Sequence, residues 1–277
     1  ADFLLELRSE EIPAGMQAGA RNALAQMLAR ELDQIGITAE AIDVHSTPRR
    51  LALVARGLPL ETQASREEMK GPRTSAPPQA LDGFLRKTGL TQEQLVERDG
   101  IFFAVIDKPG RKTADVLAEA IPQIVRAFPW PKSMRWGAAS ASTESLRWVR
   151  PLQGIVALLG HDVLGFEIAG VKSGAATVGH RFHHPGVITI GSANDYAEKL
   201  RACHVLIDPA ERRRIIADGA KAAAEAAGLT EWPVPLLGPF DPAFLQVPRE
   251  VIQLTMRTNQ KYFALVKYFP RGGGGGG

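Results

Sequence analysis

The chain lacks several features on which common functional classes depend. Its single cysteine, Cys203, excludes a disulfide framework and a cysteine-based zinc site, and is best explained as a helix-packing residue. No apolar run approaches the length of a membrane span, and the sequence contains no GxGxxG or phosphate-loop pattern. The strand-like alternation of side chains begins already at Phe3, so no signal peptide is expected. These absences indicate a cytoplasmic protein without membrane contact.

The composition is that of a globular protein with one large domain or two ordinary ones. The chain has 277 residues, of which 45% are hydrophobic and 23% charged. The net charge of +3 is weak for a dedicated nucleic-acid binder. Most of the basic residues are arginines, which suit phosphate contacts and stacking better than lysines do. A GC-rich genome explains the same arginine content equally well.

Hydrophobic periodicity predicts a mixture of strands and helices. Phe3–Arg8 alternates and predicts a strand, whereas apolar residues from Met16 to Ile35 recur with the period of an amphipathic helix. Asp208-Pro209-Ala210-Glu211 is typical of a helix start. Further elements are predicted at Arg49–Arg56, Ile101–Ile106, Thr113–Phe128, Gly154–Leu159, Val163–Ile168, Val187–Ile190 and Asn194–Cys203. The elements do not alternate with regular βαβ spacing, so we expect an α+β fold with mixed or antiparallel sheets and no Rossmann fold.

Breaker residues suggest how the chain is divided. Gly71-Pro72 and Pro77-Pro78 lie in a polar stretch that we interpret as an exposed linker over about residues 61–78. We expect an N-terminal α+β lobe over residues 1–130 and a second α+β lobe over 131–266. Residues 267–277 end in six glycines, which predicts a flexible or artificial tail.

Two short clusters combine cations with tryptophan. Lys132-Ser133-Met134-Arg135-Trp136-Gly137 follows Pro129-Trp130-Pro131, and Leu146-Arg147-Trp148-Val149-Arg150-Pro151 comes soon after. Guanidinium groups beside aromatic rings can hold phosphates and stack on bases. Neither cluster contains a nucleophile with its base or a set of metal ligands. Binding of a nucleic acid is therefore the first function to consider, with packing of the tryptophans as the alternative.

Three other motifs have competing interpretations. Glu10 and Glu11 are adjacent, so their side chains point apart and a solvated turn is favoured over an acid–base pair. Gly179–Pro185 holds three histidines and Arg181. It fits a phosphate- or partner-binding loop or a structural turn better than a zinc site. Arg257–Phe263 is compatible with RNA contact or with an edge strand.

Seven segments occur in an order that identifies one family. They are Phe3–Pro13, Thr47–Ala52, Lys132–Gly137, Val149–Gly160, Gly179–Phe182, Glu231–Val234 and Gln260–Phe263. Together they resemble the N-terminal part of the beta subunit of the bacterial heterotetrameric glycyl-tRNA synthetase. Two departures from the family pattern favour a truncated or edited chain. The segment between the helical residues that end near Gly228 and the motif that begins at Glu231 is shorter than is usual in the family, and the family pattern ends after Val266.

The resemblance implies a division of labour between two subunits. In this family a separate alpha subunit carries the class II catalytic core and binds ATP, Mg²⁺ and glycine. The beta subunit binds tRNA(Gly) within an alpha2beta2 complex. This chain is then a non-catalytic part of a ligase, with no cofactor of its own. The candidate residues for RNA contact or for an interface are Arg49, Arg50, Lys132, Arg135, Trp136, Arg147, Arg150, Arg181 and Lys261.

Two alternatives remain. In the first, the same motifs form a scaffold, with the tryptophans as core or interface anchors and the arginines paired with carboxylates such as Glu10. Burial discriminates between RNA binding and the scaffold, because solvent-facing Arg and Trp surfaces favour RNA and buried Arg–Glu pairs favour a scaffold. The second is an editing-type hydrolase, which the sequence supports weakly because it offers no nucleophile and no convincing metal site.

Overall fold

The computed structural model describes residues 1–137, 142, 144–231 and 265–267, with only the backbone described at 229–231 and 265–267. The helices are α1 (Ala14–Gln34), α2 (Pro78–Thr88), α3 (Thr113–Arg126), α4 (Ala193–Ala202) and α5 (Pro209–Ala226). The strands of the first half are β1 (Phe3–Ser9), β2 (Ala41–Thr47), β3 (Arg50–Arg56), β4 (Ser65–Arg73), β5 (Val96–Arg98) and β6 (Ile101–Lys108). Those of the second half are β7 (Leu152–Leu159), β8 (Asp162–Val163), β9 (Glu167–Ile168), β10 (Val171–Gly174), β11 (Ala176–Val178), β12 (Val187–Thr189), β13 (Leu229–Glu231) and β14 (Leu265–Lys267).

A seven-stranded sheet dominates the structure. Its order is β2-β3-β1-β7-β10-β9, and β8 pairs with β7. The strand β1 lies inside the sheet, antiparallel to both β3 and β7. Among the described pairings only β7 with β10 is parallel. The α+β fold with mixed and antiparallel sheets is therefore confirmed.

Both faces of β1 are buried. Phe3, Leu5 and Leu7 belong to a core that includes side chains of α1 and α3. Leu4, on the other face, belongs to a second core that includes residues of α4. The predicted alternation along β1 is confirmed, and it places Glu6 on the same face as Leu4 in the protein interior.

The expected linker over residues 61–78 contains a strand instead. Within it β4 pairs with β6, and β5 pairs with the other edge of β6, in a separate three-stranded sheet. Its side chains are mostly exposed and carry ion pairs, for example between Arg98 and Glu68. A strand with solvated faces has the composition of a loop, which is why periodicity did not reveal it.

Contacts divide the chain at a different place from the expected one. The first compact unit is Ala1–Ile207 and the second is Asp208–Gly277. The division expected between residues 130 and 131 falls inside the first unit, because β7 pairs with β1 along its whole length. In the second unit α5 begins as predicted, with Asp208 accepting a hydrogen bond from the Ala210 amide, and β13 pairs with β14.

Other predicted elements are confirmed with small shifts. The helix α3 begins at Thr113, so Pro122 lies inside it and does not mark its start. The strand predicted at Gly154–Leu159 forms within β7. The strand predicted at Val163–Ile168 is interrupted, and only its ends are strands: β8, which pairs with β7, and β9. No described helix is long and apolar enough to cross a membrane. Residues 268–277 of the glycine-rich tail lie outside the described residues.

Candidate nucleic-acid interface

The two tryptophan clusters fold onto each other. The Met134 amide donates to the Trp148 carbonyl at 2.8 Å, and the Trp148 amide donates to the Met134 carbonyl at 3.1 Å. The rings of Phe128, Trp130 and Trp148 then form a group with centroid separations of 4.9 to 5.0 Å. Trp148 is 1% exposed, and Trp136 is partly buried against the same core. These rings are packing residues, as the scaffold interpretation expects.

The cations of these clusters have different environments. Lys132 and Arg147 are exposed, and the Arg147 Nε donates to the Ser133 hydroxyl at 3.2 Å. Arg135 is half-buried. Arg150 is also half-buried and donates to the Val149 carbonyl at 2.7 Å. Only Lys132 and Arg147 of this group therefore present an exposed charge.

Arg49 and Glu10 form a half-exposed ion pair. The Arg49 Nη2 lies 2.8 Å from Glu10 Oε2, and the Gln153 side-chain amide donates to the other carboxylate oxygen. This arrangement agrees with the interpretation of Glu10 as a turn residue that pairs with an arginine. Exposed pairs of this kind contribute little to stability, because water screens both charges.

Arg50 lies in the interior, so it is not a surface residue for RNA. It is 5% exposed, and its Nε donates to Glu6 Oε2 at 3.2 Å. Glu6 is fully buried and also accepts hydrogen bonds from the hydroxyls of Thr177 and Tyr196. A buried carboxylate needs such partners, because an unpaired charge in the interior is strongly destabilising. A buried Arg–Glu pair is what the scaffold interpretation predicts, so Arg50 is a scaffold residue.

The network around Glu6 joins residues of four secondary-structure elements. Glu6 and Arg50 come from β1 and β3, Thr177 from β11, and Tyr196 from α4. Burial raises the pKa of the Tyr196 phenol well above its usual value, and the adjacent Glu6 carboxylate adds to the effect. The phenol therefore remains a hydrogen-bond donor throughout the neutral pH range.

The same network holds the hairpin formed by β11 and β12. Thr177 lies in β11, and the guanidinium of Arg50 donates to the carbonyl of Val178, the last residue of that strand. Two residues after Val178, the His180 amide donates to the Cys203 carbonyl at 2.9 Å. Gly179 is needed here, because a Cβ at this position would lie 2.6 Å from the Cβ of Cys203. The start of the loop is thus fixed to the core.

His180 shapes the loop that follows, residues 179–186, which we call the hairpin tip. Its Nδ1 accepts hydrogen bonds from the amides of Phe182 and His183, both at 3.2 Å, and its carbonyl accepts from the His184 amide at 2.8 Å. Desolvation lowers the pKa of His180, as do the nearby His183, His204 and Arg181. A neutral ring with a free Nδ1 lone pair is the form that this turn requires.

The outer surface of the hairpin tip combines a cation with an exposed aromatic ring. The Cζ of Arg181 lies 4.7 Å from the ring centroid of Phe182, which is 72% exposed. The ring of His183 is 4.5 Å from that of His180 and 5.4 Å from that of His204. Within the described residues no group of three or more His, Cys, Asp or Glu side chains could hold a metal ion. The arrangement can bind anions and stack on flat groups.

The structure therefore divides the nine predicted residues. Three are exposed, namely Arg181, Lys132 and Arg147, and three are half-buried, namely Arg49, Arg135 and Arg150. Arg50 and Trp136 take part in packing, and Lys261 lies outside the described residues. Glu6, Thr177 and Tyr196 are not among the residues predicted from the sequence. For Glu6 a signal existed, since it is a charged residue on a strand and its adjacent residues Leu5 and Leu7, together with Leu4, are apolar.

Comparison with known proteins gives one family. The family model described as "Glycyl-tRNA synthetase beta subunit" matches residues 3–271, beyond Val266, where the family pattern was expected to end. The "Glycine--tRNA ligase beta subunit" of Paracoccus denitrificans (strain Pd 1222) is 47% identical over 286 residues, covering 95% of this chain. The protein of the same name from Phenylobacterium zucineum (strain HLK1) is 48% identical over 279 residues, again covering 95% of this chain. The chain spans 41% of the length of both relatives.

Proposed function

The chain belongs to the glycyl-tRNA synthetase beta subunit family, and we propose that it is a tRNA-binding and assembly portion of a glycine–tRNA ligase. In this proposal the ligase attaches glycine to tRNA(Gly) at the expense of ATP. The alpha subunit performs that chemistry and holds ATP and Mg²⁺. This chain contributes no catalytic group, and the complex is a cytoplasmic alpha2beta2 assembly.

The observation that carries the proposal is the Arg181–Phe182 pair on the hairpin tip. The ring is exposed beside a guanidinium, on a loop whose start is fixed to the core. RNA-binding proteins use such pairs to contact phosphates and to stack on bases. Lys132 and Arg147 provide further exposed charge for the backbone of the RNA.

A scaffold role accounts for Arg50 and Trp136. Trp148 and the Arg50–Glu6 pair are buried, and Trp136 packs against the core. We therefore assign these residues to holding the fold together and reserve RNA contact for the exposed set. The scaffold and binding roles are thus carried by different residues of the same chain.

Salt-dependent binding of tRNA tests the proposal. Purified chain is titrated with a tRNA(Gly) transcript over a range of salt concentrations. We expect Arg181→Ala and Arg147→Ala each to weaken binding. For each lost phosphate contact, the slope of log K against log salt should fall by about 0.7 to 0.9. Arg86→Ala, at an exposed position on α2, serves as the matched control and should bind like the parent chain.

Two results would contradict the proposal. One is a chain that does not bind tRNA, or binds it with an affinity that salt does not change. The other is equal affinity for the parent, Arg181→Ala and Arg147→Ala chains. Sedimentation of the same variants with the alpha subunit separates the two roles, since we expect the surface variants to associate normally.

A further inference from the structure

We infer that the hairpin tip binds an unpaired nucleotide of the tRNA, with its base stacked on Phe182 and a neighbouring phosphate held by Arg181. This inference rests on the proposed function and adds the chemical form of the RNA that the site recognises. It concerns residues 179–186, whose described side chains all belong to the first unit.

The exposure of Phe182 is the first argument. Among the large hydrophobic side chains that are exposed in the described residues, Phe182 is the only aromatic one. The guanidinium of Arg181 lies over the ring, yet 72% of the residue remains accessible. A flat ring that is held open beside a cation is suited to stacking with another flat ring.

The charge around the ring is the second argument. The sequence has no Asp or Glu between Glu167 and Asp195, whereas the hairpin tip contains Arg181 and three histidines. His204 adds another imidazole beside His183. A phosphate that approaches Arg181 therefore meets no carboxylate from the hairpin itself. The charge of Arg181 therefore favours an anionic ligand over a neutral or basic one.

The rigidity of the loop base is the third argument. Arg50 binds the carbonyl before the tip, Cys203 accepts from its first histidine, and His180 ties the turn together. The ring and the guanidinium are therefore presented in one arrangement before any ligand arrives. Such preorganisation lowers the entropic cost of binding.

The same geometry selects unpaired over paired RNA. In an A-form helix the bases are stacked on one another and their faces are covered, so a protein ring gains little from contact with the duplex. An unpaired nucleotide offers a free base face and an adjacent phosphate. A protein surface is a less suitable occupant, because it would have to supply partners for Arg181 and for the histidines as they were buried.

Fluorescence titration of two RNA probes with the chain tests the inference. The first is a single-stranded oligonucleotide that carries one fluorescent base analogue, and the second is the same strand annealed to its complement. We expect Phe182→Leu to weaken binding of the single strand about tenfold, which is within the range for loss of one stacking contact. Binding of the duplex should not change, and Phe182→Trp should restore binding of the single strand.

Val187→Ala is the matched control. Val187 begins β12 on the same hairpin and is 72% exposed, as Phe182 is, but it has no ring. We expect this variant to bind both probes like the parent chain. Thermal unfolding of all three variants checks that the fold is intact.

The possible outcomes separate the inference from the proposed function. If the parent chain does not bind tRNA(Gly), the proposed function fails and the inference fails with it. If Phe182→Leu binds tRNA and the single strand as the parent does, only the inference is overturned. If Phe182→Leu weakens binding of the single strand and of the duplex to the same extent, the inference is also overturned. If Phe182→Leu loses association with the alpha subunit while RNA binding persists, the hairpin tip is a protein interface.

Discussion

Arg50 donates through Nη2 to the carbonyl oxygen of Val178, a residue 128 positions further along the chain. The bond joins β3 of the central sheet to the end of β11, where the hairpin tip begins. Because Arg50 also pairs with the buried Glu6, one guanidinium links the interior to the surface that we propose for RNA binding. The stability of the core and the position of the Arg181–Phe182 pair are thereby connected.

Removal of the Arg50 charge should destabilise the chain strongly. Arg50→Met leaves Glu6 buried without its cation, and breaking a buried pair in this way costs about 3 to 5 kcal/mol. Urea unfolding measures the loss. Arg56→Met is the control on the same strand, where the arginine is 42% exposed and pairs with Asp43. We expect it to cost less than about 1 kcal/mol. Equal losses for the two variants would contradict the account.

Tyr196→Phe should remove a pH-dependent contribution to stability. The hydroxyl that donates to Glu6 is lost, which we expect to cost about 1.5 to 3 kcal/mol at neutral pH. The pKa of Tyr196 is raised in the folded state, so its contribution is complete below the unfolded value of about 10 and declines as the pH rises above it. The stability difference between the two chains should therefore narrow in alkaline urea titrations. A difference that stays constant above about pH 10 would contradict this explanation.

Replacement of His180 should alter the hairpin tip without disturbing the core. His180→Ala removes the acceptor for the Phe182 and His183 amides, whereas His180→Asn supplies a side-chain oxygen that can accept similar bonds. We expect hydrogen exchange at these two amides, corrected for the intrinsic rate, to be fast in the Ala variant and slow in the Asn variant. Equal protection in both would show that the ring nitrogen does not hold the turn.

Lowered pH should weaken the turn in the parent chain. The pKa of His180 is lowered in the folded state by desolvation and by the charges of His183, His204 and Arg181. The contribution of the neutral ring is therefore present above the unfolded value of about 6.5 and is lost as the pH falls through the folded value. Protection of the two amides should decrease on acidification in the parent but not in His180→Asn. Loss of protection at the same pH in both chains would contradict the assignment to His180.

Trp148 should matter for stability and Arg147 should not. Trp148→Ala removes a ring that is 1% exposed and contacts Phe128 and Trp130, so we expect a loss of about 3 to 5 kcal/mol. The adjacent Arg147→Ala changes an exposed side chain and should alter the free energy of unfolding by less than about 0.5 kcal/mol. Trp148→Phe, which keeps an aromatic ring, should lie between them. A small effect of Trp148→Ala would contradict the assignment of this ring to packing.

Local patterns predicted the elements but not the partners of their side chains. The alternation along β1 and the cap of α5 follow from neighbouring residues, and both are confirmed. Arg50 is predicted from the sequence only as a candidate for RNA contact or for an interface, because nothing near it in sequence indicates its partners. Glu6 reaches it through the pairing of β1 with β3, and Val178 through a side-chain hydrogen bond. The strand β4 was interpreted as a linker because its exposed faces leave no apolar alternation. The burial of Arg50 and the formation of β4 both depend on contacts between residues that are distant in sequence.

Crosslinking of bound tRNA to the chain tests the central claim most directly. A tRNA(Gly) transcript with photoreactive bases is bound to the chain and irradiated, and the crosslinked peptides are mapped by mass spectrometry. The account predicts crosslinks within residues 179–186, centred on Phe182, and their loss in Phe182→Leu. Crosslinks that occur only elsewhere on the chain, with none in the hairpin tip, would contradict it.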